Sequence, residues 1–245
     1  MPDIAGRFLQ GLGDVAHPLG LAVSGGGDSM ALLHLTVQAG VPCIAATVDH
    51  GLRPESADEA AGVARVCAGL GVPHEVLRWQ GWDGSGNLQD QARRARYRLM
   101  ADWALRQGIG AVALGHNRDD LAETFLMRLA REAGVDGLAA MSPRRRFLGV
   151  EWRRPLLGIG RDELRGWLAG QGLTWVDDPS NANDRYDRVK MRKALGGLAP
   201  LGITAPGLAA VALHLAEVRQ ALEVQTLAAA REMARVEAGD VLLDP

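Results

Sequence analysis

The sequence predicts an α/β protein, a doubly wound parallel sheet with a C-terminal helical extension. Three observations predict it. Short apolar runs of strand length alternate with amphipathic stretches of helical length through residue 134. The connections between them are short, as right-handed βαβ crossovers require. The polar clusters fall just after strands or at helix starts, where such sheets bind ligands.

The elements follow in order. LGLAV (19–23), bounded by glycine, reads as a buried strand, and MALLHLTVQAG (30–40) as a helix with a glycine stop. PCIAATV (42–48) is a second strand, followed by a helix over 56–71 with Ser56 as its cap. HEVLRW (74–79) is a third strand, and NLQDQARRARYRLMADWALRQG (87–108) a long helix capped by Asn87. AVALG (111–115) is a fourth strand and RDDLAETFLMRLAREAG (118–134) its helix. Beyond residue 140 the pattern loosens: strand pieces in RRRFLGVEWRRPLL, a helix over 161–172, a turn-rich loop WVDDPSNAND (175–184) and a short basic helix over 186–195. GGLAPLGITAPG (196–207) has linker composition, 207–239 reads as one long amphipathic helix, and VLL near the end as a strand. The domain expectation is a catalytic domain over 1–200 and a helical linker, or the start of a second domain, over 201–245.

The 245 residues are 47% hydrophobic and 23% charged, which suits a chain that buries a core and excludes global disorder. No run approaches the roughly 18 apolar residues of a membrane span, and no secretory signal opens the chain, so it reads as a cytoplasmic protein without a membrane partner. The net charge of −2 hides a segregation. Residues 1–92 carry 4 basic and 10 acidic side chains, 93–195 carry 20 and 13, and 196–245 carry 3 and 6. A middle segment at +7 suits a polyanionic partner, although arginines on solvated helices give the same count.

Four clusters carry chemistry. SGGGDSM (24–30) lies between a strand and a helix. Gly25, Gly26 and Gly27 permit close backbone approach, and their amides with the following helix start form an anion site that Ser24 and Ser29 extend. Asp28 would repel a bare phosphate and therefore points to Mg2+ between carboxylate and phosphates. The lysine-bearing loop of ordinary γ-phosphate hydrolases is missing. In TVDHGLRPES (47–56), Asp49 and His50 stand at the same sheet edge. In GHNRDDLAET (115–124), Asp120 and Glu123 share a helix face. Helix-start acids are worth roughly 0.3–1 kcal/mol as dipole partners. Three acids in five residues exceed that need and suit a magnesium ion or an ammonium group. In DDPSNANDRYDRVKMRKAL (177–195), Arg185, Arg188, Lys190, Arg192 and Lys193 form a basic helix for phosphates or solvent.

In this order the clusters resemble the tRNA(Ile)-lysidine synthases of the PP-loop ATP pyrophosphatase superfamily. SGGxDS alone would indicate only the superfamily. VDHGLRxxS, ARRARY (92–97), GHNRDDxxET, GVDGLAAM (134–141), RRPLL and WVDDPSN are more specific, and the similarity spans about residues 20–195. The resemblance implies an adenine nucleotide α-hydrolase-like fold. It implies adenylation of the wobble cytidine of a minor isoleucine tRNA by ATP at the C2 oxygen, then attack of lysine at C2 with release of AMP. It assigns ATP to Ser24, Gly25, Gly26, Gly27, Asp28, Ser29, Asp49 and His50, with Asp28 near Mg2+. Asp120, Glu123 and Arg188 fall to lysine and, with Asp28, to catalysis. Arg93, Arg94, Arg96, Lys190 and Arg192 fall to tRNA.

Three departures stand out. The family usually reads Arg-Asn where this chain has Arg188-Val189, and Arg-Gly-Ser-Gly where it has Arg131-Glu132-Ala133-Gly134. Many members also continue into further C-terminal domains, so a short or truncated member with weaker tRNA binding is expected, its last helix covered in a homodimer or by a partner subunit. The competing readings are a tRNA thiolase of the same superfamily, and a non-catalytic RNA- or nucleotide-binding module. Thiolation is disfavoured because Cys43 and Cys67 are 24 residues apart rather than paired, and read as buried apolar residues.

Overall fold

The computed structural model describes residues 3–15, 17–51, 55–80, 82, 86–139, 141–177, 187–237 and 240–243. Leu52, Arg53 and Pro54 of the second cluster, and 178–186 of the fourth with Arg185, lie outside them. The chain divides into two compact units, residues 1–120 with 143–184, and residues 121–142 with 185–245.

The first unit opens with α1 (Ile4–Leu12), an amphipathic helix absent from the elements expected above. Asp3 caps it by accepting from the Gly6 amide at 2.8 Å, and Ile4, Phe8 and Leu12 are buried. There follow β1 (Leu19–Ala22), α2 (Gly27–Gln38), β2 (Cys43–Asp49), α3 (Ser56–Gly69), β3 (His74–Arg78), α4 (Leu88–Arg106) and β4 (Ala111–Leu114). Next come α5 (Arg118–Leu129), whose first turn belongs to this unit, then β5 (Arg144–Phe147), β6 (Val150–Arg153) and α7 (Arg161–Gly170), with α6 (Val135–Leu138) of the second unit lying between α5 and β5 in the chain.

The sheet runs β3-β2-β1-β4-β6-β5, parallel except for β5, which pairs antiparallel with β6. Doubly wound packing explains the unbroken apolar strands: successive residues face opposite layers. Leu19 and Leu21 of β1, Ala45 of β2, and Ala111 and Ala113 of β4 join a core with α1, α2, α3 and α7. Ala46, Val112 and Leu114 join the other core, with Met100 and Trp103 of α4 and Trp152 of β6. Gly20 is required at the centre, because a Cβ there would lie 2.9 Å from Val112 and 3.1 Å from Trp103.

The second unit holds the rest of α5, α6, α8 (Asp187–Leu198), a 3-10 turn (Ala199–Leu201), α9 (Ala205–Met233) and a hairpin of β7 (Ala234–Glu237) and β8 (Asp240–Leu243). No single described helix is long and apolar enough to cross a membrane.

Several expected boundaries are corrected. Ser56 is not the cap of α3; Glu55 holds that place, while the Ser56 hydroxyl donates to Asp49. Asn87 does cap α4, accepting from the Gln89 and Asp90 amides. The helix expected to run to 134 stops at Leu129, and Glu132 adopts a left-handed φ of 56°. Helix α8 runs through Gly196 and Gly197, which composition marks as linker, and residues 234–237 form a strand rather than the end of α9. In both places pairing or packing outweighs weak local preference.

Candidate active site

Strand β1 pairs with β2 on one side and β4 on the other, and the chain reverses its winding there. The loops after β1 and β4 therefore flank the crevice where doubly wound sheets bind ligands. The loop after β1 is Val23–Gly26, and α2 begins at Gly27 with Gly26 as its cap and no side-chain cap bond. The first amides of α2 thus lack a side-chain acceptor, the condition for anion binding at a helix start. Gly25 has φ 87°, which only glycine adopts without strain. A Cβ at Gly27 would lie against the Trp175 ring, 3.4 Å away.

Ser29 closes the loop on itself. Its Oγ accepts from the Ser24 amide at 3.1 Å, lies 3.2 Å from Ser24 Oγ and donates to the Gly26 carbonyl at 2.9 Å. Ser29 is buried and Ser24 exposed, so Ser24 is the hydroxyl that faces solvent.

The opposite wall is Gly115–Asp120. Gly115 fits closely against the start of α2: a Cβ there would lie 3.0 Å from the Asp28 carbonyl carbon and from the Ser29 nitrogen. Asn117 and Asp120 form a reciprocal cap of α5. Asn117 Oδ1 accepts from the Asp120 amide at 3.0 Å, and Asp120 Oδ2 accepts from the Asn117 amide at 3.1 Å. Asp120 Oδ1 also accepts from Arg161 Nη2 at 3.1 Å. Arg161 Nε stands 3.8 Å from Asp28 Oδ2, so one guanidinium serves both carboxylates.

Asp28 Oδ1 is buried without a hydrogen-bond partner, and so is Asn117 Nδ2. Burial, then the Asp120 charge, push the Asp28 carboxyl up to about 6, against the opposing pulls of Arg161 and of the nearby Asn117 amide, which falls short of a well-formed hydrogen bond. A carboxylate oxygen left bare beside a phosphate-type loop fits Mg2+, which takes one or two protein carboxylates and completes its shell with phosphates and water. No cluster of three or more His, Cys, Asp or Glu capable of holding a metal occurs among the described residues. The donor set is that of a nucleotide-borne cation rather than a caged one.

Arg161 lies outside every cluster that the sequence marks, although it carries a signal. It is the first residue of α7, where the helix dipole disfavours a cation, so its place there needs a local reason. Asp119 supplies part of the compensation by accepting from the Arg161 amide at 2.7 Å.

Asp49 and His50 end β2 at this edge. Asp49 Oδ1 accepts from Ser56 Oγ at 2.7 Å and from the Gly51 amide at 2.9 Å, which hold its carboxyl below the usual range. Asp49 is thereby engaged in closing its own loop. His50 meets Trp79 edge to face at 5.9 Å, and its Nδ1 is buried without a partner. Burial, helped by Arg96, lowers its basicity. On α4, Arg93 lies over the Tyr97 ring at 5.4 Å and Arg94 pairs with Asp90 at 2.8 Å.

In the second unit Glu123 is 1% exposed and accepts from Arg192 Nε at 2.8 Å. Lys190 lies 3.8 Å from Asp187, which Arg131 also approaches at 3.4 Å. Among the described residues the Arg188 guanidinium makes no hydrogen bond or ion pair, while the neighbouring Val189 is buried.

A glycine loop at a sheet switch point, facing a wall of paired carboxylates, defines a nucleotide-binding α/β protein. A family model described as a PP-loop domain matches residues 4–198. The chain is 61% identical over 231 residues to a tRNA(Ile)-lysidine synthase of Ruegeria pomeroyi, covering 93% of this chain and 55% of that protein. It is 42% identical over 243 residues to one of a Methylobacterium species, covering 97% of this chain and 71% of that protein. The chain belongs to the tRNA(Ile)-lysidine synthase family of PP-loop proteins. It spans about half the length of the Ruegeria relative. Among solved structures, the U34-tRNA thiolase NcsA of Methanococcus maripaludis with its [4Fe-4S] cluster shares the fold, with a TM-score of 0.73 at 17% identity over 87% of this chain and 76% of that one.

Proposed function

We propose that this chain carries the catalytic part of an ATP-dependent carbon–nitrogen ligase that attaches lysine to C2 of the wobble cytidine of a minor isoleucine tRNA. The cytosine C2 oxygen attacks the α-phosphorus of ATP and pyrophosphate leaves. The amine of lysine then adds at C2, loses a proton, and AMP departs with the oxygen. The observation that carries this reading is the crevice itself: a lysine-free glycine loop that carries Asp28 and faces Asp120, in a chain of this family. A loop without a γ-phosphate lysine suits a leaving pyrophosphate rather than a transferred phosphoryl group.

The residues divide accordingly. Ser24 to Ser29 bind the ATP phosphates, and Asp28 Oδ1 would hold Mg2+, whose charge offsets that of the phosphates. Asp49 and His50 shape the nucleotide side. Asp120 and Glu123 are the carboxylates for the lysine amine, and each holds a guanidinium, from Arg161 and Arg192 respectively. An arriving ammonium group can replace such a partner without leaving a buried carboxylate uncompensated. Arg188, whose guanidinium has no partner among the described residues, suits the lysine carboxylate or the adenylate. Arg93, Arg94, Arg96, Lys190 and Arg192 are the tRNA contacts, and the substrates place the reaction in the cytoplasm.

Thiolation is the weaker reading. It needs accessible, ionisable cysteines, whereas burial pushes the Cys67 thiol up to about 11 and raises that of Cys43. One assay tests both. The chain is incubated with ATP, radiolabelled lysine and unmodified minor isoleucine tRNA, and label in the RNA is counted. Incorporation is expected. ATP binding without incorporation would overturn the ligase reading in favour of a binding module, and modification that requires a sulfur donor would favour thiolation.

A further inference from the structure

Away from the crevice, the first unit has a cavity of about 350 Å³ between α4 and the β5–β6 hairpin. Its size falls within the range of ligand pockets, roughly 300–1,000 Å³. Its walls combine guanidiniums with aromatic rings. Arg93, Arg94 and Arg98 come from α4, Arg145 from β5 and Arg154 from the segment after β6. Asp90 is the acid of the lining, and Arg94 occupies it. Among the described residues Arg93, Arg98 and Arg145 have no acidic partner.

The rings are ordered around Tyr97, which meets Trp152 at 4.8 Å and Phe147 at 6.3 Å, both edge to face. Trp152 is core, 1% exposed, with its indole donating to the Phe147 carbonyl. Phe147 is 43% exposed, with Arg145 over its ring at 5.2 Å. Charged residues on an edge strand commonly serve only to block aggregation, and β5 (RRRF) is such a strand. An exposed phenylalanine works against that purpose, so protection alone leaves Phe147 unexplained. The hairpin presents it through a two-residue turn in which Leu148 (φ 53°) and Gly149 (φ 77°) are both left-handed.

Arg154 links this groove to the crevice. It is 6% exposed, and its Nε donates to His116 Nδ1 at 3.3 Å. His116 follows Gly115, which packs on the start of α2. One lining residue of the groove is thus hydrogen-bonded to the segment that walls the nucleotide crevice.

We propose that this groove binds a single-stranded RNA segment, with one unstacked base on Phe147 and the adjoining phosphates on Arg93, Arg98 and Arg145. Non-helical RNA is held by this combination of a cationic track and a stacking face. The proposal rests on the RNA-substrate reading above for its ligand class and extends the motif residues Arg93 and Tyr97 into a groove with residues outside the motifs. It also assigns work to Phe147, Arg98 and Arg145, which no motif marks.

The test is binding of the whole chain to a fluorescent oligouridylate of about eight nucleotides, within the length a stacking groove accommodates. Phe147→Ala is expected to weaken binding about 5- to 150-fold, the range for removal of one base stack. Phe147→Trp is expected to restore it, and Phe147→Leu is not. Arg98→Ala with Arg145→Ala is expected to flatten the dependence of log affinity on log salt by about 0.7 for each phosphate no longer neutralised. Duplex RNA of equal length is expected to compete poorly. Wild-type affinity and salt slope in these variants would overturn the proposal, as would Phe147→Leu binding as tightly as wild type. Lysine transfer to tRNA, measured beside it, separates the two readings. Intact transfer with unchanged oligonucleotide binding in the variants removes the groove and keeps the ligase. Groove-dependent binding without transfer removes the ligase and keeps the groove.

Discussion

Asp28 is expected to cost the protein stability at neutral pH, and Asp28→Asn to return it. Burial, then the neighbouring charge of Asp120, raise the Asp28 carboxyl from 3.8 to about 6. Below pH 3.8 the group is neutral in both folded and unfolded chains, and the substitution changes little. Between 3.8 and 6 the folded chain retains the proton that the unfolded chain has lost, so the folded state weakens as pH rises. Above 6 both forms are charged and the full penalty stands, about 3 kcal/mol. Asparagine removes that penalty, which is already net of the opposing pulls of Arg161, Asn117 and Arg165, and incurs the smaller cost of burying an amide. The net expectation is a gain of about 2 kcal/mol at about pH 7.5 that vanishes near about pH 4. Urea denaturation of both proteins across this range reads it directly. Saturating Mg2+ and ATP are expected to reverse the ranking, since ligand at about 100 times Kd adds about 2.7 kcal/mol to a protein that binds it. A loss of stability in Asp28→Asn, or a gain that does not change with pH, would refute the reasoning.

Other substitutions test neighbouring points. Glu132→Gly is expected to stabilise by about 1 kcal/mol in thermal melts, because Glu132 holds a left-handed φ of 56° that glycine adopts freely. Gly115→Ala is expected to weaken ATP binding at least about tenfold by calorimetry, because its Cβ would sit 3.0 Å from the backbone of Asp28 and Ser29. Arg192→Ala is expected to lower stability in denaturation, since it removes the guanidinium 2.8 Å from the buried Glu123 carboxylate. Asp120→Asn is expected to abolish lysine incorporation while retaining ATP binding, with its side-chain carbonyl still accepting from the Asn117 amide. Asp120→Ala would also lose the α5 cap, about 1 kcal/mol, and so confound role with stability.

Legibility follows the range of the interactions involved. The strands of the sheet core are readable because β1 and β4 are apolar throughout and glycine or a polar loop bounds them. Asn87 announces its cap because capping is settled within three residues of chain. Ser56 does not, because its hydroxyl is drawn to Asp49 across a loop, and no local rule weighs that competition. The end of α5 misleads for a related reason: Arg131-Glu132-Ala133 has good helical preference, yet the chain turns left-handed at Glu132. The family's usual glycine at that place is the clue to the turn, and it lies in the resemblance rather than in the residues themselves.

The candidate site divides the same way. Its loops are legible because phosphate-binding glycines and helix-start acids are contiguous in sequence, whereas Arg161 enters from a helix 41 residues beyond Asp120. That one residue changes what the acids mean. Asp120 and Glu123 on one helix read from the sequence as an open site for a cation, but Asp120 already shares the Arg161 guanidinium with Asp28 and also caps α5. A cation reaching Asp120 must therefore displace Arg161 or join it. Displacement would leave Arg161 with Asp28 at a longer distance, beside the oxygen that lacks any partner. Arg161→Ala separates the cases. If Arg161 only balances charge, its loss raises the Asp28 carboxyl further and deepens the neutral-pH penalty, while lysine affinity rises as the competing cation is gone. If Arg161 also orients substrate, lysine incorporation falls instead of lysine affinity rising, on top of the stability loss common to both cases.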